Sequence, residues 1–351
     1  MAKVEELEEG ESPPKRQKDV DAEHEEEENP IDERNALEEE NAVAERAMRD
    51  FAAITGTDEI YAHTILQDVN WNIEAALEVH FGGQNEPAAG SDGENEEPNE
   101  GPSTSSEFEV SLMSWNIDGL DGSSLATRMK AVHCVLKNIN PDFIFLQEVV
   151  EREIVPIEKL EKYYKIFYSN RPSQYFTAIL VSKAFDVLNH HVHHFENSGM
   201  GRTLQTVEGK IGPTKVFLLN THLESMAEHS NKRTVQIRYC LQKMGDIVRN
   251  NPNALVFFGG DLNIRDEELP PLPNGVADAF LAAGSPKGEK FTWDTRKNDN
   301  KFAHGAQCRF DRVFWAGPLR TVSFKLEGRQ RIRTTLCFPS DHWAVNCTFS
   351  P

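Results

Sequence analysis

Five short polar motifs lie in the last two-thirds of the chain, each at the end of an apolar run. They read SWNIDGL at 114–120, LQEV at 146–149, NTHLES at 220–225, GDLN at 260–263 and SDHW at 340–343. Together they supply acidic metal ligands, amide and histidine donors, and a histidine beside an aspartate. These groups are suited to hydrolysing a phosphodiester with a bound Mg²⁺, for which Mn²⁺ is an expected substitute.

The carboxylates and amides of these motifs have separable roles in such a reaction. Glu148 is the predicted metal ligand, because Mg²⁺ takes oxygen ligands and few protein carboxylates. Asn116 is expected beside it, as a ligand or a neighbour of the ligands, and Asp341 is expected to approach the metal. Asp261 is suited to orienting and deprotonating an attacking water. Asn263 can donate its amide to the phosphate.

Histidines complete the predicted site. His342 can donate to a phosphoryl oxygen as negative charge builds there. It needs a partner that fixes its tautomer, and we predict Asp311 for that role. His222 is a second candidate phosphate donor. A single polar residue after a strand usually only starts a turn, but five such strand ends in succession favour a shared site.

The elements that must position these residues are predicted from residue 108 onward. Short apolar β-type runs alternate there with helical stretches, which predicts an α/β domain over residues 108–351. We expect a two-sheet, four-layer α/β/β/α sandwich. Helices are predicted at Leu125–Asn138 and Asn231–Asn250. The predicted strands are Phe108–Trp115, Phe143–Gln147, Tyr164–Tyr168, Phe176–Val181, Leu204–Glu208, Lys215–Asn220, Ala254–Gly259, Arg312–Ala316, Thr321–Leu326 and Ala344–Phe349.

The preceding residues divide into three further segments. Residues 1–40 are acidic and poor in apolar side chains, which predicts a disordered tail. Residues 41–83 carry apolar side chains at helical spacing, which predicts three short helices around a small core. That size suits an interaction module rather than an enzyme. Residues 84–107 are rich in Gly, Ser, Pro and Glu, which predicts a flexible acidic linker.

Charge is distributed unevenly along the chain. Residues 1–107 hold 31 acidic and 7 basic side chains, whereas residues 108–351 hold 26 acidic and 30 basic ones. The mildly positive balance of the second part is compatible with a polyanionic substrate. The acidic first part could keep the chain soluble, bind a basic partner, or screen the domain against nucleic acid.

Several features indicate where the protein works. Its five cysteines are widely spaced, which favours a reducing compartment over a disulfide framework or zinc cluster. No apolar stretch is long enough for a bilayer, so no membrane association is expected. The basic cluster at 15–18 resembles a nuclear import signal. We expect a monomer in the nucleus, with the cytoplasm as a second location.

The motifs together resemble the signature of the endonuclease/exonuclease/phosphatase family over essentially all of residues 108–351. The resemblance implies the family's sandwich fold and metal-dependent phosphodiester hydrolysis. The residues that carry it are Asn116, Glu148, Asp261, Asn263, Asp311 and His342.

The flanking residues resemble one branch of that family, which cleaves the bond between a protein tyrosine and a DNA 5′-phosphate. The adducts implied are those left by a trapped type II topoisomerase. DNA ends need stacking surfaces and cations. Tyr175, Trp293 and Phe310 are the predicted aromatics, and Arg202 and Arg265 the predicted cations.

A second resemblance covers the small module. The run from Phe51 to Phe81, with Thr55-Gly56 and DVNWNIEAA at 68–76, is similar to ubiquitin-associated (UBA-like) domains. It implies binding of ubiquitin or a ubiquitinated protein.

Two alternatives stay open. The scaffold could act on another phosphodiester, as an abasic-site endonuclease, a deadenylase or a lipid phosphodiesterase. The chain could instead be a ubiquitin-binding adaptor with an inactive domain.

Overall fold

The computed structural model describes residues 43–49, 51, 59–69, 71–72, 76, 109–171, 173–301 and 305–351. The chain divides into two compact units, Met1–Asn99 and Glu100–Pro351. The predicted acidic tail, the linker and the basic cluster at 15–18 lie outside the described residues.

The larger unit contains two six-stranded sheets. The first sheet has the order β13-β14-β1-β2-β4-β3 and the second has the order β5-β6-β7-β8-β12-β9. Only β1–β2 and β7–β8 pair in parallel; the other neighbours within the described sheets are antiparallel. The strands are β1 Val110–Asn116, β2 Phe143–Val149, β3 Tyr164–Tyr168, β4 Phe176–Ser182, β5 Asp186–His194, β6 Thr203–Ile211, β7 Thr214–His222, β8 Leu255–Asp261, β9 Ala277–Asp278, β10 Trp293–Asp294, β11 Gln307–Cys308, β12 Asp311–Ala316, β13 Thr321–Glu327 and β14 Ala344–Ser350.

The two sheets pack face to face around one apolar core, and helices cover their outer faces. Leu112 of β1 and Phe257 of β8 belong to the core between the sheets. Successive residues of a strand point to opposite faces. Met113 therefore packs outward with helix α2, and Phe258 packs outward with helix α4. The predicted four-layer α/β/β/α sandwich is confirmed. The helices of this unit are α2 Leu125–Ile139, α3 Val155–Glu158, α4 Ser230–Asn250 and α5 Ala279–Ala282.

All ten predicted strands are present. One further long strand was not among those ten, because its histidine cluster indicated only a polar strand or turn. That strand is β5, which contains the histidine-rich run at 190–194 and forms the edge of the second sheet. Its side chains are exposed or half-buried throughout, so no apolar alternation marks it. Edge strands commonly carry polar residues because these discourage pairing with other chains.

The smaller unit is mainly helical where it is described. Residues 43–49 are helical, and helix α1 spans Glu59–Asp68. Its buried core consists of Ala47, Phe51, Ala62, Leu66 and Ala76. Most of the third predicted helix lies outside the described residues. None of the helices in the described part of the chain is both long and apolar enough to cross a membrane.

Candidate active site

Strand alternation brings polar side chains from both sheets to one end of the inter-sheet space. In β1, Leu112 faces the core between the sheets, so Asn116, four residues on, points the same way. In β8, Phe257 faces the same core, so Asp261, four residues further along the strand, points in the same direction. Asp311 begins β12 directly opposite Asp261, with which it is paired in register. The apolar core thus ends in a buried polar cluster.

Glu148 reaches this cluster through a backbone irregularity. Simple alternation in β2 would turn it towards the helix-covered face, because Gln147 points inward. The β2–β4 register shifts between Leu146 and Val149. Glu148 has a φ of 56°, a backbone conformation that residues other than glycine rarely adopt. This bulge redirects the carboxylate, whose Oε1 accepts from Asn116 Nδ2 at 3.0 Å. Such irregularities often re-aim side chains at functional sites.

A glycine allows the bulge to form. A Cβ placed on Gly119 would lie 2.1 Å from the carbonyl oxygen of Glu148. Residues 119 and 148 therefore approach backbone to backbone. Any side chain at 119 would push away the segment that aims the Glu148 carboxylate.

We therefore expect Gly119→Ala to damage both stability and catalysis. Overpacking of this kind costs about 1–3 kcal/mol, and the displaced Glu148 should weaken metal-dependent activity. Thermal unfolding and turnover measure the two effects. Gly122→Ala is the matched control, because a Cβ at Gly122 meets nothing within 4 Å. Equal behaviour of the two variants would contradict the proposed contact.

Asp261 is the most extensively hydrogen-bonded carboxylate of the cluster. Its Oδ2 accepts from Asn116 Nδ2 at 2.9 Å and lies 3.3 Å from His222 Nε2. Its Oδ1 accepts from the backbone N–H of Asn263 at 3.0 Å. Burial alone would raise the pKa of Asp261, but His222, His342 and these hydrogen bonds hold it below its usual range. The Asp261 carboxylate is therefore ionised. Among the described contacts its Oδ1 accepts one hydrogen bond, so it can accept another.

His342 and Asp311 form a buried pair, as the sequence predicted. His342 Nδ1 lies 2.8 Å from Asp311 Oδ2. Burial would lower the pKa of His342, yet Asp311, Asp341 and Asp261 raise it well above its usual value. Burial in turn raises the pKa of Asp311, partly offset by His342. Nδ1 donates to Asp311, and Nε2 is left facing the cluster, 3.9 Å from Asp261 Oδ2.

Three carboxylates, which we call the acidic cluster, interact electrostatically. They are Asp118, Glu148 and Asp341. Burial, then Asp341 and Glu148, raise the pKa of Asp118 to about 7, against the opposing effects of Arg128 and Lys301. Mutually repelling carboxylate oxygens of this kind suit a hard divalent cation. The residues present therefore fit a metal ion, which Glu148 and Asp341 would hold with Asp118 beside them.

Two details refine the predicted metal ligands. The Asn116 side-chain oxygen accepts from the Asp118 amide at 3.0 Å, and its nitrogen donates to Glu148 and Asp261. The geometry thus favours Asn116 as a link between the two carboxylates over a direct oxygen ligand. Asp118 was not singled out from the sequence. The sequence feature that could have identified Asp118 is its position two residues beyond Asn116, within the same motif.

A different set of groups, Asp261, Asp311 and His342, brings three ligand atoms within 4.8 Å of one another. We interpret this trio as acid–base machinery instead of a metal centre. Asp311 is committed to His342, and His342 carries raised proton affinity. A metal-bound imidazole would have to be neutral.

On the other side of Asp261, a buried arginine lacks a carboxylate partner. Arg202 Nη1 lies 2.6 Å from His222 Nδ1. Since arginine only donates, His222 Nδ1 accepts and its Nε2–H points to Asp261. The Arg202 guanidinium stacks 5.1 Å from the Tyr175 ring centroid. Within the described residues its Nε has no hydrogen-bond acceptor, and no carboxylate lies within ion-pair distance. These three predicted substrate contacts therefore form one group.

The remaining predicted contacts lie near Asp341. Trp293 Nε1 donates to Asp341 Oδ2 at 3.2 Å, and the Trp293 and Phe310 ring centroids are 5.7 Å apart. Both rings are half-buried. Arg265 is exposed, two residues beyond Asn263. The aromatic pair and this cation thus border the acidic cluster and Asn263.

The polar floor of the site contains residues that sequence reasoning did not assign a role. Gln147 Nε2 donates to Asn220 Oδ1 at 2.8 Å. Asn220 Nδ2 in turn donates to the carbonyls of Leu146 and Ala178. These buried amides join the two sheets below Asn116 and Asp261. This contact depends on how the two sheets pack face to face, which the sequence of either strand does not reveal.

Comparison with known proteins agrees with this fold. The model of the endonuclease/exonuclease/phosphatase family matches residues 113–342, and the model of the UBA-like domain matches residues 44–87. The chain belongs to the endonuclease/exonuclease/phosphatase family.

Within the family, similar proteins include tyrosyl-DNA phosphodiesterases. A protein of Caenorhabditis briggsae named 5′-tyrosyl-DNA phosphodiesterase is 57% identical over 323 residues, covering 87% of this chain and 90% of the relative. The crystal structure of truncated Caenorhabditis elegans TDP2 is 65% identical, with a TM-score of 0.69, covering 70% and 98% of the two chains. Danio rerio TDP2 complexed with a single-strand DNA product is 33% identical, with a TM-score of 0.65, covering 69% and 99%.

Proposed function

We propose that this protein hydrolyses the phosphodiester between a protein tyrosine and the 5′-phosphate of DNA, leaving a 5′-phosphate end. One observation carries the proposal. Asp261 and the hydrogen-bonded pair His342–Asp311 lie together on one buried floor, near the acidic cluster and near Arg202, which has no carboxylate partner among the described residues. The similar proteins named as tyrosyl-DNA phosphodiesterases support the substrate.

The residues divide the reaction between them. Asp261 Oδ1 holds the attacking water and accepts its proton as the oxygen bonds to phosphorus. His342 Nε2–H and the side-chain amide of Asn263 donate to the phosphoryl oxygens as their negative charge grows. When a divalent ion is bound at Glu148 and Asp341, it neutralises further phosphate charge.

The departing group explains the preference for a tyrosyl bond. The phosphorus–oxygen bond to tyrosine breaks and its electron pair leaves with the phenol oxygen, whose conjugate acid has a pKa of about 10. No strong general acid is needed for such a leaving group. Arg202, Tyr175 and His222 provide a cationic and aromatic surface beside Asp261 for the phosphate and the tyrosine. Trp293 and Phe310 supply stacking for DNA bases.

A substrate panel tests the proposal. A single-stranded oligonucleotide with a 5′-tyrosyl group would be compared with 3′-tyrosyl, abasic, poly(A) and sphingomyelin substrates in Mg²⁺. We expect tyrosine release from the 5′ substrate alone. Activity on a different phosphodiester would keep the mechanism and remove the substrate. Inactivity on every substrate would favour a ubiquitin-binding adaptor.

The metal is proposed to be Mg²⁺, with Mn²⁺ as a substitute. Glu148→Ala removes a predicted ligand, so we expect the Mg²⁺ concentration for half-maximal activity to rise at least about tenfold, together with a loss of turnover. A Mg²⁺ titration of activity measures this. Glu153→Ala, five residues away and outside the acidic cluster, is the control. An unchanged Mg²⁺ requirement would remove Glu148 from the ligand set.

The partners and location are also proposals. We infer that the DNA ends carry adducts of a type II topoisomerase, and that the UBA-like domain binds ubiquitin on the trapped protein. We place the protein in the nucleus, also in the cytoplasm, as a monomer. Titration of ¹⁵N-labelled ubiquitin with the full chain tests the ubiquitin contact. Unshifted ubiquitin resonances at millimolar concentration would remove it.

A further inference from the structure

Lys301 lies beside the proposed metal site but plays no part in the mechanism above. Its Nζ is 3.2 Å from Asp118 Oδ2 and also bonds Asp121 Oδ2. The lysine side chain is 31% exposed, whereas that of Asp118 is 7% exposed. An ammonium group thus reaches inward to the most buried member of the acidic cluster.

The backbone of Lys301 is fixed by two asparagines that precede it. Asn298 Nδ2 donates to the Ser340 carbonyl at 2.8 Å. Asn300 donates to the Phe338 carbonyl at 2.9 Å and accepts from the Phe338 amide at 2.9 Å. The lysine is therefore fastened to the segment that leads into Asp341 and His342. This distinguishes it from a freely moving surface lysine.

The other cation near Asp118 is already committed. Arg128 Nη1 is 3.6 Å from Asp118 Oδ2. Its guanidinium, however, donates to five backbone carbonyls that shape the loop after β1 and its contact with residue 339. Asp118 Oδ2 accepts no hydrogen bond that meets geometric criteria among the described residues. Lys301 is the closer cation to that oxygen.

We propose that Lys301 acts as a built-in cation at the Asp118 end of the acidic cluster, so that a single divalent ion binds at the Glu148 end. This rests on the proposed use of a divalent metal. Removing the ammonium would take one positive charge away from a site that also holds the carboxyl groups of Asp118, Asp121, Glu148 and Asp341. Opposite charges attract strongly at such short distances in a partly buried site. A further cation would then bind, or the first would bind more tightly.

Direct counting of bound Mn²⁺ tests the proposal without relying on activity. MnCl₂ would be titrated into the full chain, and free Mn²⁺ measured by electron paramagnetic resonance. We expect one ion per unsubstituted chain. For Lys301→Met we expect a second ion per chain, or affinity for the first increased at least about tenfold. Lys301→Arg keeps the charge and should resemble the unsubstituted protein. Lys297→Met, at an exposed lysine of the same segment, is the matched control.

Thermal unfolding provides a second readout. Without Mn²⁺, the Lys301→Met protein should unfold at a lower temperature than the unsubstituted protein. Added Mn²⁺ should raise its unfolding temperature by more than it raises that of the unsubstituted protein, because ligands that bind only the native state stabilise it. If the methionine variant unfolds, Lys301→Gln serves for both measurements.

The outcomes separate the two proposals. Mn²⁺ stoichiometry and affinity that are identical in the unsubstituted and charge-removed proteins would overturn the role of Lys301 and leave metal use intact. Two ions bound by the unsubstituted chain would also overturn it. Absence of Mn²⁺ binding by the unsubstituted chain would overturn both this inference and the metal part of the proposed function.

Discussion

Asp261→Asn is expected to lower turnover by at least about 100-fold while the protein stays folded. The substitution preserves the size of the side chain but removes its charge. Asp261 accepts from Asn116, His222 and the Asn263 amide. An asparagine could satisfy only part of this set, since one of its two terminal atoms is a donor. It would also be unable to accept the proton of the attacking water.

The experiment compares turnover on the 5′-tyrosyl substrate with thermal unfolding of the same samples. Asp246→Asn is the matched control, because Asp246 is a partly exposed acid of helix α4 that pairs with Arg249. A loss smaller than tenfold in the Asp261 variant would remove Asp261 from the role of base. A large loss accompanied by unfolding would show instead that the buried charge serves stability.

The sequence predicted the residues of this site that obey strand alternation. Asn116 and Asp261 follow apolar runs, and Asp311 begins one; the period of two in each strand sets the direction of the side chain. The Asp311–His342 pair followed from chemistry, since an imidazole that donates needs a carboxylate to fix its tautomer. These residues required no knowledge of which strands are neighbours.

Residues that depend on tertiary contacts were not predictable in the same way. Glu148 was identified by its type, but its direction depends on a bulge that alternation does not reveal. Lys301 meets Asp121 across 180 positions of sequence. Gln147 and Asn220 meet only because β2 and β7 belong to sheets that face each other. Periodicity describes one element at a time, so contacts between elements fall outside it.

The fold shows the same division. The ten predicted strands have at least one apolar face packed against another layer, which leaves a periodic signal. Strand β5 is held by main-chain pairing with β6 at the sheet edge. Its exposed face packs against no other layer, so it does not require apolar side chains. Main-chain hydrogen bonds stabilise such a strand without restricting its side chains, so its sequence carries little information about its structure.

The second large effect is expected for the pair His342 and Asp311. His342→Ala should lower kcat/KM by at least about 100-fold, because the donor to the phosphoryl oxygen is lost where charge develops. Asp311→Asn should also be strongly impaired. Asp311 is fully buried, and its Oδ2 bonds His342 Nδ1 at 2.8 Å. Removing its charge withdraws the main attraction that keeps His342 protonated.

The double variant distinguishes a shared role from two separate ones. Because Asp311 acts through His342, the combined substitution should be little worse than His342→Ala alone. Losses that multiply would mean that Asp311 contributes independently, for example as a ligand of a metal ion with Asp261. The buried position of both side chains makes folding a necessary check, so unfolding temperatures of all three variants accompany the kinetics. A near-normal Asp311→Asn enzyme would show that geometry alone holds His342 in place.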